Sequence, residues 1–302
     1  MMDMHPSPPP VFLGYSQAEL DRAYDQRIWA PNAEVSLARC RDLGTRVRAS
    51  MRMLADVPYG AAPDDRLDVF PTAPAGAPIH VHIHGGAWRI QSKHDVSFMA
   101  PAITAAGMHF VAPDFINLPA CRMPDMVDQL TRALAWIYRH AREFGGDPDR
   151  ILLSGHSSGA HLCAVLSTLD WAARDLPADL VKAALCVSGT YDLAPVLLSA
   201  RRSYIDLTSA EAERLSPLRH AGAVRCPVIV MTGERESPEF VRQGMAFADA
   251  LRHAGADVEL IHVPRADHFE INEAIGTAGS APHAAAVRLM RHVAARQPAN
   301  AG

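Results

Sequence analysis

The chain has no cysteine pairs, no excess of positive charge and no long apolar run, and each absence removes a class of function. Its five cysteines, Cys40, Cys121, Cys163, Cys186 and Cys226, are odd in number and far apart, with no CxxC among them. Neither a disulfide framework nor a zinc site is indicated, and they read as small apolar residues of a reducing compartment. With 29 Lys and Arg against 33 Asp and Glu, the formal charge is −4. That supplies no basic field for nucleic acid and no polybasic patch for an anionic membrane; small-molecule substrates fit better. No run of about 18 apolar residues suits a membrane span. The opening MMDMHPSPPPVFLGYSQ lacks the cationic start and apolar stretch of a secretory signal. The expected location is the cytoplasm, and the sequence leaves open whether the chain forms a homodimer.

What is present suits a packed enzyme. Hydrophobic residues make up 49% and charged residues 21% of the 302, an ordinary globular composition at a length sufficient for one large domain. Nothing marks a division, so a single domain over 1–302 is expected. Residues 5–13 are proline-rich and expected to be extended. A helix follows from Ser16, which caps SQAELDRAYDQRIW, and a second over 33–54. Residues 1–55 thus read as a helical cap segment. Strands are predicted at 56–59 and 66–70, before a Pro/Gly/Ala linker at 71–78.

From residue 79 onward, apolar runs alternate with amphipathic stretches. Strands are predicted at 79–84, 109–112, 150–154, 181–188, 227–232 and 257–263, and helices at 126–144, 158–169, 238–254 and 281–295. This order is the signature of a mostly parallel sheet covered on both faces, an α/β fold. Between residues 192 and 223 the alternation gives way to a polar, arginine-bearing segment, which we read as an insertion covering the active site.

GHSSG at 155–159 matches the G-x-S-x-G elbow and lies between a predicted strand and helix. The glycines allow close backbone passage while the central residue, Ser157, projects its side chain as a nucleophile. Read without chemistry, the same string is a Gly/Ser turn. What favours the nucleophile is HGGAW at 84–88, directly after the strand bearing Ile79, Val81 and Ile83. There a glycine-rich loop can aim the N–H groups of Gly86 and Ala87, with that of Ser158, at a developing oxyanion. Gly85 and His84 would support the loop.

A serine nucleophile needs a base and a carboxylate to orient it. His268, in RADHFEI after the last predicted strand, is placed for the base on a loop at the carboxyl end of the sheet. GERESPEF offers three acids past the strand 227–232. Glu236 clears the strand end without entering the following helix, Glu234 is the alternative, and Glu239 reads as a helix-start charge. Asp192 reads as a cap for the next segment. The order Ser157, Glu236, His268 agrees with the nucleophile, acid, base order of such folds. His80, His82 and His84 share a strand face, yet no carboxylate follows at close spacing, so no metal is assigned. Trp88, Phe115, Tyr191 and Phe269 are candidates for an aromatic substrate pocket, and each could equally be core.

These segments resemble the kynurenine formamidase (arylformamidase) branch of the α/β-hydrolases, which adjoins the hormone-sensitive-lipase-like carboxylesterases. HGGAW is similar to that branch's HGGxW motif, GHSSGAHL at 155–162 to its nucleophile segment, ESPEF at 236–240 to DSPEF, and ADHF at 266–269 to its histidine loop. Glu236 stands where the family has aspartate. The resemblance implies a cofactor-free hydrolase of small esters or of N-formyl aryl amides such as N-formylkynurenine. A non-catalytic ligand receptor on the same fold is the alternative.

Overall fold

The computed structural model describes residues 9–296, so the expectation for residues 5–8 of the proline-rich start lies outside the described residues. Ser16 and Glu19 form a capping box that opens α1 (Gln17–Tyr24). The helix expected through residue 29 breaks at Asp25, whose side chain accepts the N–H of Arg27 and starts a short 3-10 turn, Gln26–Ile28. Helix α2 (Ala33–Ser50) ends before residue 54 because Leu54 already pairs in the sheet.

Eight strands build one sheet: β1 (Leu54–Pro58), β2 (Arg66–Phe70), β3 (Ala77–Ile83), β4 (His109–Pro113), β5 (Gly146–His156), β6 (Ala183–Val187), β7 (Val228–Gly233) and β8 (Val258–Val263). Their spatial order is β1-β2-β4-β3-β5-β6-β7-β8. The β1–β2 and β2–β4 pairs are antiparallel, and every pair from β4 to β8 is parallel.

Burial follows position. Strands β3, β4, β6 and β7 are buried at every residue, as parallel strands covered on both faces must be, whereas edge strand β1 is largely exposed. Alternate residues feed two cores. Ile79, Val81 and Ile83 of β3 pack with α4 (Met123–His140), α5 (Ser158–Ser167) and α8 (Pro238–His253). The opposite face carries Phe110, Leu152, Leu185 and Met231 against α2, α3 (Ala100–Ala105), α9 (His268–Ile275) and α10 (Ala281–Arg296). His80 and His82 also point to that second face and share one partner, Ser154 Oγ, at 2.6 and 2.7 Å.

The segment expected as an insertion holds α6 (Leu193–Leu198), α7 (Ser209–Arg214) and 3-10 turns. Asp192 caps α6 through the N–H of Ala194. Among the described residues no helix is long and apolar enough to cross a membrane.

The topology fixes where a site can form. After β3 the chain crosses to β4 on one side and then returns to β5 on the other, so the loops leaving β3 and β5 part at their carboxyl ends. A crevice opens at such a switch point. HGGAW leaves β3 there and GHSSG leaves β5.

Candidate active site

Ser157 sits between the end of β5 and the start of α5 with φ 57° and ψ −122°, a conformation that non-glycine residues adopt only under local constraint. The turn is tight because its glycines let backbone touch backbone. A Cβ on Gly155 would lie 2.1 Å from the Gly159 carbonyl oxygen, and one on Gly159 equally close to that of Ile83.

The HGGAW loop passes directly beside this turn. A Cβ on Gly85 would come 2.9 Å from the His156 carbonyl and 3.4 Å from Ser157 Cβ. Gly86, Ala87 and Trp88 all hold positive φ, at 96°, 54° and 61°. Among the described residues none of the N–H groups of Gly86, Ala87 and Ser158 is given to an acceptor. His84 braces the loop: its Nδ1 donates to the Gly85 carbonyl at 3.0 Å and its ring stacks on Phe115 at 4.1 Å.

His268 and Glu236 reach the same point from two other strand ends. His268 is the first residue of α9 rather than part of a loop, because Asp267 caps that helix by accepting the N–H groups of Phe269 and Glu270. The hydroxyl of Ser157 lies 3.0 Å from His268 Nε2, and His268 Nδ1 donates to Glu236 Oε1 at 2.5 Å. The other Glu236 oxygen accepts the Gly233 N–H at 2.9 Å. Serine, imidazole and carboxylate thus form one continuous hydrogen-bonded chain.

All three are buried, and burial sets the electrostatics. It raises the Glu236 carboxyl to about 7, against the Gly233 N–H. It also lowers the His268 imidazole to about 3, with the nearby Arg201 acting the same way. In both cases burial disfavours the charged form, pushing the carboxyl up and the imidazole down.

The remaining sequence candidates divide clearly. Glu234 points away, its carboxylate accepting the N–H of Arg265 at 2.6 Å. Glu239 is more than a helix-start charge: it is buried, accepts from Tyr24 Oη at 3.0 Å and pairs with Arg242 at 2.7 Å. Phe269 lines the cavity over Ser157. Trp88, Phe115 and Tyr191 do not line it. Tyr191 is sealed against Phe247 at 4.3 Å, and Phe115 is taken by His84. Trp88 donates from Nε1 to His161 Nδ1 at 3.2 Å, tying the HGGAW loop to α5. Among the described residues no group of three or more His, Cys, Asp or Glu is placed to hold a metal.

Sequence reasoning assigned no role to Tyr24, Gln26, His156 or Arg201. The first two and Arg201 line the cavity with Ser157 and His268. Gln26 clamps Ser237, beside Glu236, by donating to its Oγ at 2.9 Å. No spacing rule connects these residues, because contacts across about 180 to 210 positions leave no local periodicity.

Comparison with known proteins agrees with this architecture. The profile of the alpha/beta hydrolase fold family matches residues 80–271. Kynurenine formamidase of Danio rerio is 32% identical over 274 residues, spanning 85% of this chain and 91% of that protein. Esterase LipQ of Mycobacterium tuberculosis is 29% identical, spanning 80% of this chain and 64% of that protein. Among solved structures, the thermophilic carboxylesterase EstE1 from a metagenomic library superposes with a TM-score of 0.69 at 20% identity, over 89% of this chain and 98% of that one. The chain therefore belongs to the alpha/beta-hydrolase fold family and is a hydrolase related to kynurenine formamidases and carboxylesterases.

Proposed function

We propose that the chain hydrolyses small carboxylic esters or N-formyl aryl amides through an acyl-enzyme on Ser157. The observation that carries this reading is the hydrogen-bonded chain Glu236–His268–Ser157, closed at 2.5 and 3.0 Å beside three amide donors that have no acceptor among the described residues. Ser157 Oγ attacks the substrate carbonyl carbon as its proton passes to His268 Nε2. The oxygen that gains charge is held by the N–H groups of Gly86, Ala87 and Ser158. His268 then returns the proton to the leaving alcohol or amine, and the bond to it breaks. Water repeats the sequence on the acyl-serine, releasing the acid and restoring Ser157. Glu236 holds the imidazole in the required tautomer and stabilises its transient charge.

The cavity over Ser157 favours small substrates. Its volume is about 140 Å³, well under the roughly 300 Å³ at which drug-sized pockets begin. A formyl or acetyl group suits it better than a long acyl chain. The segment carrying Tyr24 and Gln26 and the turn carrying Arg201 form its outer wall, and we read both as a cover that limits substrate size and water access.

The test is a panel of p-nitrophenyl acetate, butyrate and octanoate beside N-formylkynurenine, with the wild type and Ser157→Ala. The expected result is turnover that falls with acyl length and vanishes in a folded Ser157→Ala protein. Full esterase activity in that variant sinks the mechanism. If a fluorophosphonate probe leaves Ser157 unlabelled, the receptor reading replaces it.

A further inference from the structure

We propose that Arg201 selects substrates whose leaving group carries a carboxylate, an inference that rests on the hydrolase reading above. Arg201 belongs to the 3-10 turn Ala200–Ser203, held by the Ser199 cap. Its guanidinium reaches in among three aromatic rings, 5.5 Å from the centroid of Tyr24, 5.6 Å from Trp88 and 5.9 Å from Phe240. It forms part of the wall of the Ser157 cavity and also of an adjoining depression of about 250 Å³ lined by Arg89 and Tyr204. It therefore stands where a leaving group would pass from the reaction centre outward.

Several other arginines are neutralised by a carboxylate. Arg122 pairs with Glu211, Arg242 with Glu239 and Arg27 with Glu34. Among the described residues no carboxylate lies within ion-pair distance of Arg201, and one N–H is accounted for, donated from Nη2 to the Tyr24 carbonyl at 2.6 Å. Asp25, on the same wall, turns a carboxylate oxygen to the N–H of Arg27 instead. Burial lowers the Arg201 pKa from the usual guanidinium value, opposed by Tyr204, Tyr24 and Asp25, though an arginine remains charged.

A partly buried cation with Asp25 nearby but no carboxylate at ion-pair distance among the described residues is costly, and three ring faces offset that only in part. The free edge of the guanidinium has the planar, two-donor geometry that matches a carboxylate. A substrate carboxylate would supply the missing counter-charge, and the chemistry would proceed unchanged at Ser157.

The experiment uses matched pairs: the 2-, 3- and 4-acetoxybenzoates against the corresponding acetoxybenzamides, which keep the shape and remove the charge. The readout is the ratio of kcat/KM within a pair, so any general loss of activity cancels. We expect the wild type to favour the acid at one ring position or more. Arg201→Met should collapse that ratio by roughly 10- to 100-fold, the worth of a charged hydrogen bond, while Arg201→Lys keeps part of it. An unchanged ratio in Arg201→Met, or a wild type that never favours the acid, overturns the inference and leaves Arg201 as an anchor for Tyr24. The same pairs titrated onto Ser157→Ala give a ratio of Kd values without turnover. Absence of turnover in the wild type would thus count against the hydrolase reading alone, while the role of Arg201 stays measurable.

Discussion

His156 Nε2 donates to the backbone carbonyl of His268 at 2.8 Å, and the two rings lie 4.5 Å apart. The residue preceding the proposed nucleophile thus holds the backbone of the proposed base. Burial lowers the His156 pKa to about 3, with His268 next in effect, so the ring is neutral and its one N–H is committed to that carbonyl. His156→Phe removes the donor and strands a buried acceptor. The expected result is a kcat reduced by about tenfold or more with KM little changed, since the loss falls on alignment. A His156→Gln variant, which can still donate, should recover part of it. Equal losses in both variants would mean that packing alone matters.

The Glu236–His268 pair makes a statement about pH. Burial raises the Glu236 carboxyl to about 7, and a proton on that carboxyl removes the charged acceptor that orients His268 Nδ1. The acid limb of kcat/KM should therefore have its midpoint close to pH 7, with activity present above and lost below. Glu236→Gln leaves the imidazole alone in a site where burial and Arg201 depress its pKa. The limb should then move to lower pH while kcat drops by about 10³ to 10⁴. A limb that stays in place in the Gln variant would rule out this assignment.

The backbone at Ser157 predicts a stability effect separate from chemistry. At φ 57° and ψ −122°, a non-glycine residue carries about 1–3 kcal/mol of strain. Ser157→Gly should be at least as stable as Ser157→Ala, despite glycine's greater chain entropy when unfolded. Urea midpoints for the two inactive variants decide it, and a clearly less stable Gly variant would contradict the strained-elbow account.

In β2, Asp68 organises a buried ion network. It accepts the Asp56 N–H at 2.9 Å, lies 3.1 Å from Lys93 Nζ, and pairs with Arg48. Lys93 is buried and keeps Asp56 as its other anion, at 2.6 Å. Asp68→Ala should cost about 3 kcal/mol by leaving buried positive charge underpaired. Adding Lys93→Met should return part of that loss. If the double variant is no more stable than the single one, the penalty does not arise from the stranded lysine.

Some residues announce themselves in the linear chain and others cannot. Ile79, Val81 and Ile83 alternate, so β3 was readable, and the glycines of GHSSG report a backbone constraint that few other residues meet. Helix α9 carried a readable start too, although His268 was expected on a loop: Asp267 and Glu270, three residues apart, form a capping box. The four aromatic candidates stayed open between pocket and core for another reason. Trp88, Phe115 and Tyr191 are as apolar as Phe269, and composition does not say which ring faces a cavity and which faces His161, His84 or Phe247.

By itself the sequence determined the strand-and-helix order, the parallel sheet and the two glycine-rich turns, because these follow from short-range patterning and from backbone conformations that few residues tolerate. Only the tertiary structure decided that Glu236 rather than Glu234 meets His268, that Tyr24 and Gln26 return across the chain to wall the cavity, and that Arg201 joins that wall with no carboxylate at ion-pair distance among the described residues. Those outcomes depend on distances between residues remote in the chain, and burial then sets the charge state of each group once they meet.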